Sequence, residues 1–217
     1  KLDGGGGNDS LLIKMEEATF ENLVLPLPNN LKHTENITID LTNILQTSEA
    51  TKIIGFSTYH EVKNLTLKGG TTIDDATLNF QLNASQALYI DNVVDGDKTT
   101  SSVNDGGINI NIDENSQAFD LHLINAGPEN SHISGSGSSK SLEKEALVIN
   151  LITSEPITVD INITGENTII LSDENNLLSK LNIEGTGSTH LLSIPHGIMQ
   201  INGKTVEADL TFELPNN

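Results

Sequence analysis

The chain contains no cysteine, no arginine and no tryptophan, and aromatic residues fill only 3 % of its 217 positions. Without cysteine there is no disulfide, no thiolate metal site and no thiol nucleophile. The missing arginine leaves 11 lysines against 30 Asp and Glu, for a formal net charge of -19. So anionic a surface repels phosphate backbones and acidic headgroups, which removes nucleic acid from the expected partners and brings in divalent cations. No apolar run approaches the roughly 20 residues of a membrane-spanning helix, so membrane insertion is not expected. Nor does a basic-then-apolar signal peptide stand at the start. Scarce aromatics also weigh against a sugar-cleaving cleft: only Tyr59 and Tyr89 could join Phe and His in stacking beside paired carboxylates. Serine, histidine and aspartate all occur, but no nucleophile elbow does; "GSGSS" at 135–139 matches its letters loosely, in a loop. The chain is therefore expected not to be an enzyme.

What the sequence does contain is alternation with period two, the mark of strands that turn every second side chain to a core. "TLNFQLNA" (77–84), "ININID" (108–113), "FDLHLIN" (119–125), "ITVDINIT" (157–164) and "EADLTFEL" (207–214) are the clearest cases. Shorter strands are predicted over 64–70, 87–92, 168–173, 180–187, 190–194 and 198–203. Two all-β architectures satisfy this pattern: a parallel β-solenoid of roll-like coils with Asn or Thr ladders, and an antiparallel β-sandwich. Asn-rich turns and few aromatics favour the solenoid, with short irregular helices predicted at 42–53, 142–147 and 173–181. Gly, Ser and Asp mark loops at 95–107 and 127–140, and the second divides a body into 13–130 and 131–217.

The opening "LDGGGGNDSLL" is either a flexible linker or a turn. Its order, Gly-Gly-x-Gly-x-Asp-x-Leu-x, is the nine-residue repeat of calcium-binding parallel β-rolls. In such a repeat glycines permit positive φ, carbonyls face the ion, and the Asp carboxylate completes an oxygen-only shell while the Leu points inward. Gly4, Gly5, Gly7, Asp9 and Leu11 fill those positions. A chain that begins inside such a repeat is expected to continue upstream.

On these residues, Lys1 to Leu12 resembles a repeat of the RTX proteins, which bacteria export by type I secretion. The Leu-x-Ile/Leu-x-Gly cadence of "KNLTLKGGTTIDDATLNF" and "SKLNIEGTGSTHLLSI" further resembles the lattice segments of bacterial surface-layer proteins, some of which carry RTX repeats. The resemblance implies a secreted, structural, self-assembling protein of the bacterial cell surface, ordered by calcium outside the cell, with copies of itself and cell-surface polysaccharide as partners. Residues 1–12 would be the end of an RTX roll. An RTX adhesin's binding or spacer module is the alternative, and a polysaccharide-modifying β-helix enzyme, with Lys63 and Lys68 as its basic pair, a weaker one.

Other oxygen-rich sites stand beside glycine: Asp74-Asp75, Asp95-Gly96-Asp97 and Asp105-Gly106-Gly107. Of these Asp95 and Asp97 are chosen first as calcium ligands, with Gly5, Gly7 and Asp9 at the opening turn. The six histidines, 33, 60, 122, 132, 190 and 196, form no zinc signature; His190 with His196 is the nearest approach, and His122 is expected to be solvated. Sequons at Asn8, Asn36, Asn64, Asn83 and Asn162 are ordinary in so Asn- and Thr-rich a chain, and no glycan is assigned.

Overall fold

The computed structural model describes residues 2–15, 31–42, 52–69, 77–83, 85–93, 107–113, 117–127, 146–207 and 209–212. Among them every regular element is a strand. One sheet has eight strands: β2 (Ser10–Lys14), β4 (Asn36–Asp40), β6 (Asn64–Lys68), β8 (Ala87–Asp91), β10 (Ala118–Ile124), β12 (Ile157–Thr164), β14 (Leu178–Gly185) and β16 (Gln200–Val206). The other has seven: β5 (Lys52–Gly55), β7 (Thr77–Leu82), β9 (Gly107–Ile112), β11 (Leu147–Ile152), β13 (Glu166–Asp173), β15 (Ser188–Ser193) and β17 (Leu210–Phe212). A short pair, β1 (Leu2–Asp3) with β3 (Leu31–Lys32), precedes them.

Within each sheet the strands lie in chain order, each next to the strand two along in sequence, and all the pairings are parallel. Parallel neighbours cannot be joined by a hairpin, so the chain must cross to the other sheet and return before pairing again. That is a parallel β-solenoid, two strands to a coil, and the antiparallel sandwich is excluded. The inward rows, such as Leu65, Leu88, Leu121 and Ile161 or Phe80 and Ile110, are almost wholly buried in one core that draws on both sheets. Burial alternates strictly along β12, with Ile157, Val159, Ile161 and Ile163 buried and the residues between them more exposed, because only one face of each sheet meets the core.

The helix predicted over 173–181 is not there. Asp173 closes β13, its carboxylate accepts the Asn175 and Leu178 amides, Asn176 takes φ 54°, and β14 begins at Leu178. The buried Leu178 and Leu181 are three apart, as in a helix, because of a bulge: Ile157 pairs with Leu178 while Thr158 pairs with Lys180. Of the helix at 142–147 only Ala146 and Leu147 are described, and Leu147 opens a strand; 43–51 lie outside the described residues. The division near 130 also falls outside them, and the β10–β12 and β9–β11 ladders pair across it.

Candidate functional site at the glycine-rich turn

β1 runs into the turn 4–9 and β2 leaves it, so the segment lies as a coil corner above the shorter corner 33–35 that joins β3 to β4. Gly5 and Gly7 adopt φ 88° and 129°, left-handed values that strain any side chain, although the space around both is open. Gly4 is constrained by contact instead: a Cβ there would lie 1.9 Å from the His33 carbonyl oxygen and 2.6 Å from the Asp9 Cβ. Leu11 packs partly buried against the core. Gly5 and Gly7 thus stand where the backbone of this turn needs glycine, and Gly4 where a side chain would collide.

Asp9 is the most tightly held residue of the corner. Its amide donates to Glu35 Oε2 at 2.7 Å, and its carbonyl accepts the Glu35 and Asn36 amides at 3.2 and 3.1 Å. Asn36 Nδ2 donates to Asn8 Oδ1 at 2.9 Å, and Asn64 Nδ2 in turn donates to Asn36 Oδ1 at 2.8 Å, beginning an Asn ladder across three coils. Asp9 Oδ2, by contrast, is buried and has no hydrogen-bond partner. Two further carboxylates grip the same corner, Asp3 through the Gly5 amide at 3.3 Å and Glu35 through Asp9.

His33 joins this corner to the next. Its Nδ1 lies 2.8 Å from Asp3 Oδ1 and its backbone amide donates to the Glu61 carboxylate. The Asp3 hydrogen bond, reinforced by the charges of Glu61 and Asp3, raises the His33 pKa above its ordinary value. Lys32, His33, Thr34, Thr58, Tyr59 and Glu61 help line a groove of about 500 Å³ beside it. The Tyr59 backbone in its wall is held by Gln86, whose Nε2 donates to the Phe56 and Tyr59 carbonyls at 2.9 and 3.0 Å.

An oxygen-only corner with one desolvated, unpaired carboxylate oxygen has the chemistry a hard cation needs. Among the described residues, no three His, Asp or Glu side chains converge as a metal-binding group, so backbone carbonyls of the glycine turn would have to supply most of a shell. Asp95 and Asp97 lie outside the described residues, as do Asp74, Asp75, Asp105 and His132. Sequence reasoning missed Glu35 and Asn36. Asn36 and Asn64 stood out only as sequons, and the signal that unites them is a shared place before "ITI" and "LTL", one residue upstream of a buried position. His122 is stacked on Tyr89, ring centroids 4.0 Å apart, and its burial lowers its pKa; it is half-buried on the outer face rather than free in solvent. No family model, curated protein or solved structure matches the chain.

Proposed function

We propose that this chain is a non-enzymatic structural segment of an exported bacterial cell-surface protein, of the surface-layer kind, which binds calcium at an RTX-like turn and assembles with copies of itself. The observation that carries the reading is the buried, unpartnered oxygen of Asp9 inside a turn where Gly5 and Gly7 take positive φ. An uncompensated carboxylate oxygen costs free energy that a bound cation recovers, so calcium would stabilise the corner and the coils stacked on it. Divalent ions would also bridge copies that a net charge of -19 otherwise drives apart. Before export, at low calcium, the corner stays loose and the chain passes through a type I channel; outside the cell the ion orders it, and cell-surface polysaccharide offers an attachment. Asp95 and Asp97 are the second pair of ligands on this account.

Calorimetric titration of the chain with calcium tests the turn. Wild type is expected to bind, and Asp9→Asn to bind on the order of tenfold more weakly, since the neutral amide removes one ligand charge. Equal binding by the two proteins, or none by wild type, would remove calcium from this corner.

A further inference from the structure

Two neighbouring coil corners, 31–34 and 58–62, flank the groove of about 500 Å³ beside His33, a volume within the roughly 300–1,000 Å³ of small-ligand sites. Corner 58–62 is held in place by its own bonds. The Tyr59 amide donates to the Phe56 carbonyl at 2.9 Å and the Val62 amide to the Tyr59 carbonyl at 3.1 Å, while Gln86 ties both carbonyls from the next coil. The Tyr59 ring leans on the buried Phe56, with centroids 6.0 Å apart and planes tilted by 57°. Across the groove the His33 amide donates to the Glu61 carboxylate, which joins the two corners. Walls fixed in this way need little ordering by a ligand, so less entropy is lost on binding.

The lining is mixed in its chemistry. Leu31, Tyr59 and Val62 supply carbon surface, Val62 buried and the other two half-buried. Lys32 offers donors, Glu61 an acceptor, and the Thr58 hydroxyl and the imidazoles of His33 and His60 offer either; all five residues are exposed. Charge favours no ion here. Lys32 and Glu61 cancel, and Asp3, which lies 2.8 Å from His33 Nδ1, balances any charge that ring carries. Carbon surface beside donors and acceptors, with no net charge, matches a molecule with C–H groups on its faces and hydroxyls around its rim.

We propose that this groove binds a neutral pyranose sugar, its C–H face against Tyr59 and its hydroxyls on His33, His60 and Glu61. The inference deepens the cell-surface reading and rests on it for polysaccharide as the source of the sugar, but it needs neither calcium nor self-assembly. One aromatic wall makes each contact weak, with a dissociation constant on the order of millimolar. A polymer that repeats the sugar, met by several copies of the chain, gains strength from their number rather than from any single groove.

Saturation-transfer NMR of the chain in chelator tests it, with maltose, lactose and mannobiose as neutral probes and galacturonate and glucosamine as charged controls. At least one neutral disaccharide is expected to bind, and neither charged sugar more tightly. Tyr59→Ala and His60→Ala each weaken that binding on the order of tenfold, by loss of the carbon wall and of a hydrogen-bonding ring. His60 is exposed, so its removal leaves the fold intact, and Tyr59→Phe keeps the wall and the binding. Tyr89→Ala, on the outer face of the eight-stranded sheet, changes nothing at the groove. No binding of any neutral probe, tighter binding of a charged one, or binding indifferent to both Tyr59→Ala and His60→Ala overturns the proposal. Light scattering in calcium reads assembly separately. A chain that assembles without binding sugar keeps the surface-layer reading and loses the groove; one that binds sugar without assembling does the reverse.

Discussion

His33 and His122 sit in opposite electrostatic settings, and the pH dependence of stability follows from them. The Asp3 hydrogen bond raises the His33 pKa, so its contribution is complete below the ordinary value of about 6.5 and is lost as pH rises through the higher folded value. Burial lowers the His122 pKa, although Asp120 and Glu184 oppose it. The fold therefore disfavours its protonation, and stability falls as pH drops from about 6.5 through the lower folded value. Histidine NMR titration is expected to place His33 above and His122 below the ordinary value, with Asp3→Asn returning His33 toward it; the reverse order would contradict the geometry. Asn36 is a second test at this scale. Replacing it by Ala removes its bonds to Asn8, the Asp9 carbonyl and Asn64, and is expected to cost about 1–3 kcal/mol in denaturant unfolding. At this scale the sequence was legible where conformation is written in residue type, as in the glycines of the turn. It was illegible where the partner comes from another coil: Glu35 meets Asp9 across 26 positions, and nothing local announces it.

Strands carry the fold, and their inward rows should dominate its stability. Leu121 is wholly buried between Leu88 and Ile161 in register, so Leu121→Ala is expected to destabilise by about 2–5 kcal/mol. Thr66, on the outer face of β6, is expected to cost within about 0.5 kcal/mol when replaced by Ala. Similar losses at both positions, read from denaturant midpoints, would mean that the alternation does not divide core from surface. That alternation made β7, β9, β10 and β12 readable almost to the residue. It failed at Leu178–Leu181, where the bulge at Ser179 converts a period of two into a spacing of three. "NITID" (36–40) escaped notice because five residues beside long polar segments give alternation too few turns to register.

Across the whole molecule the coil has no fixed length. Stacked ladder partners are 28 residues apart at Asn36 and Asn64, 30 at Asn79 and Asn109, 41 at Asn109 and Asn150, and 20 at Asn182 and Asn202. A solenoid with so irregular a period leaves no repeat to find in the sequence, although each coil obeys the same rule of one strand per sheet. Calcium-dependent assembly is the central claim at this scale, and light scattering with electron microscopy of the same samples tests it most directly. Calcium would be raised from chelated to millimolar levels, with magnesium as control. Growth into ordered sheets with calcium alone is the predicted result; particles of unchanged size at every calcium level would contradict the account and leave the chain a spacer or binding module of an adhesin.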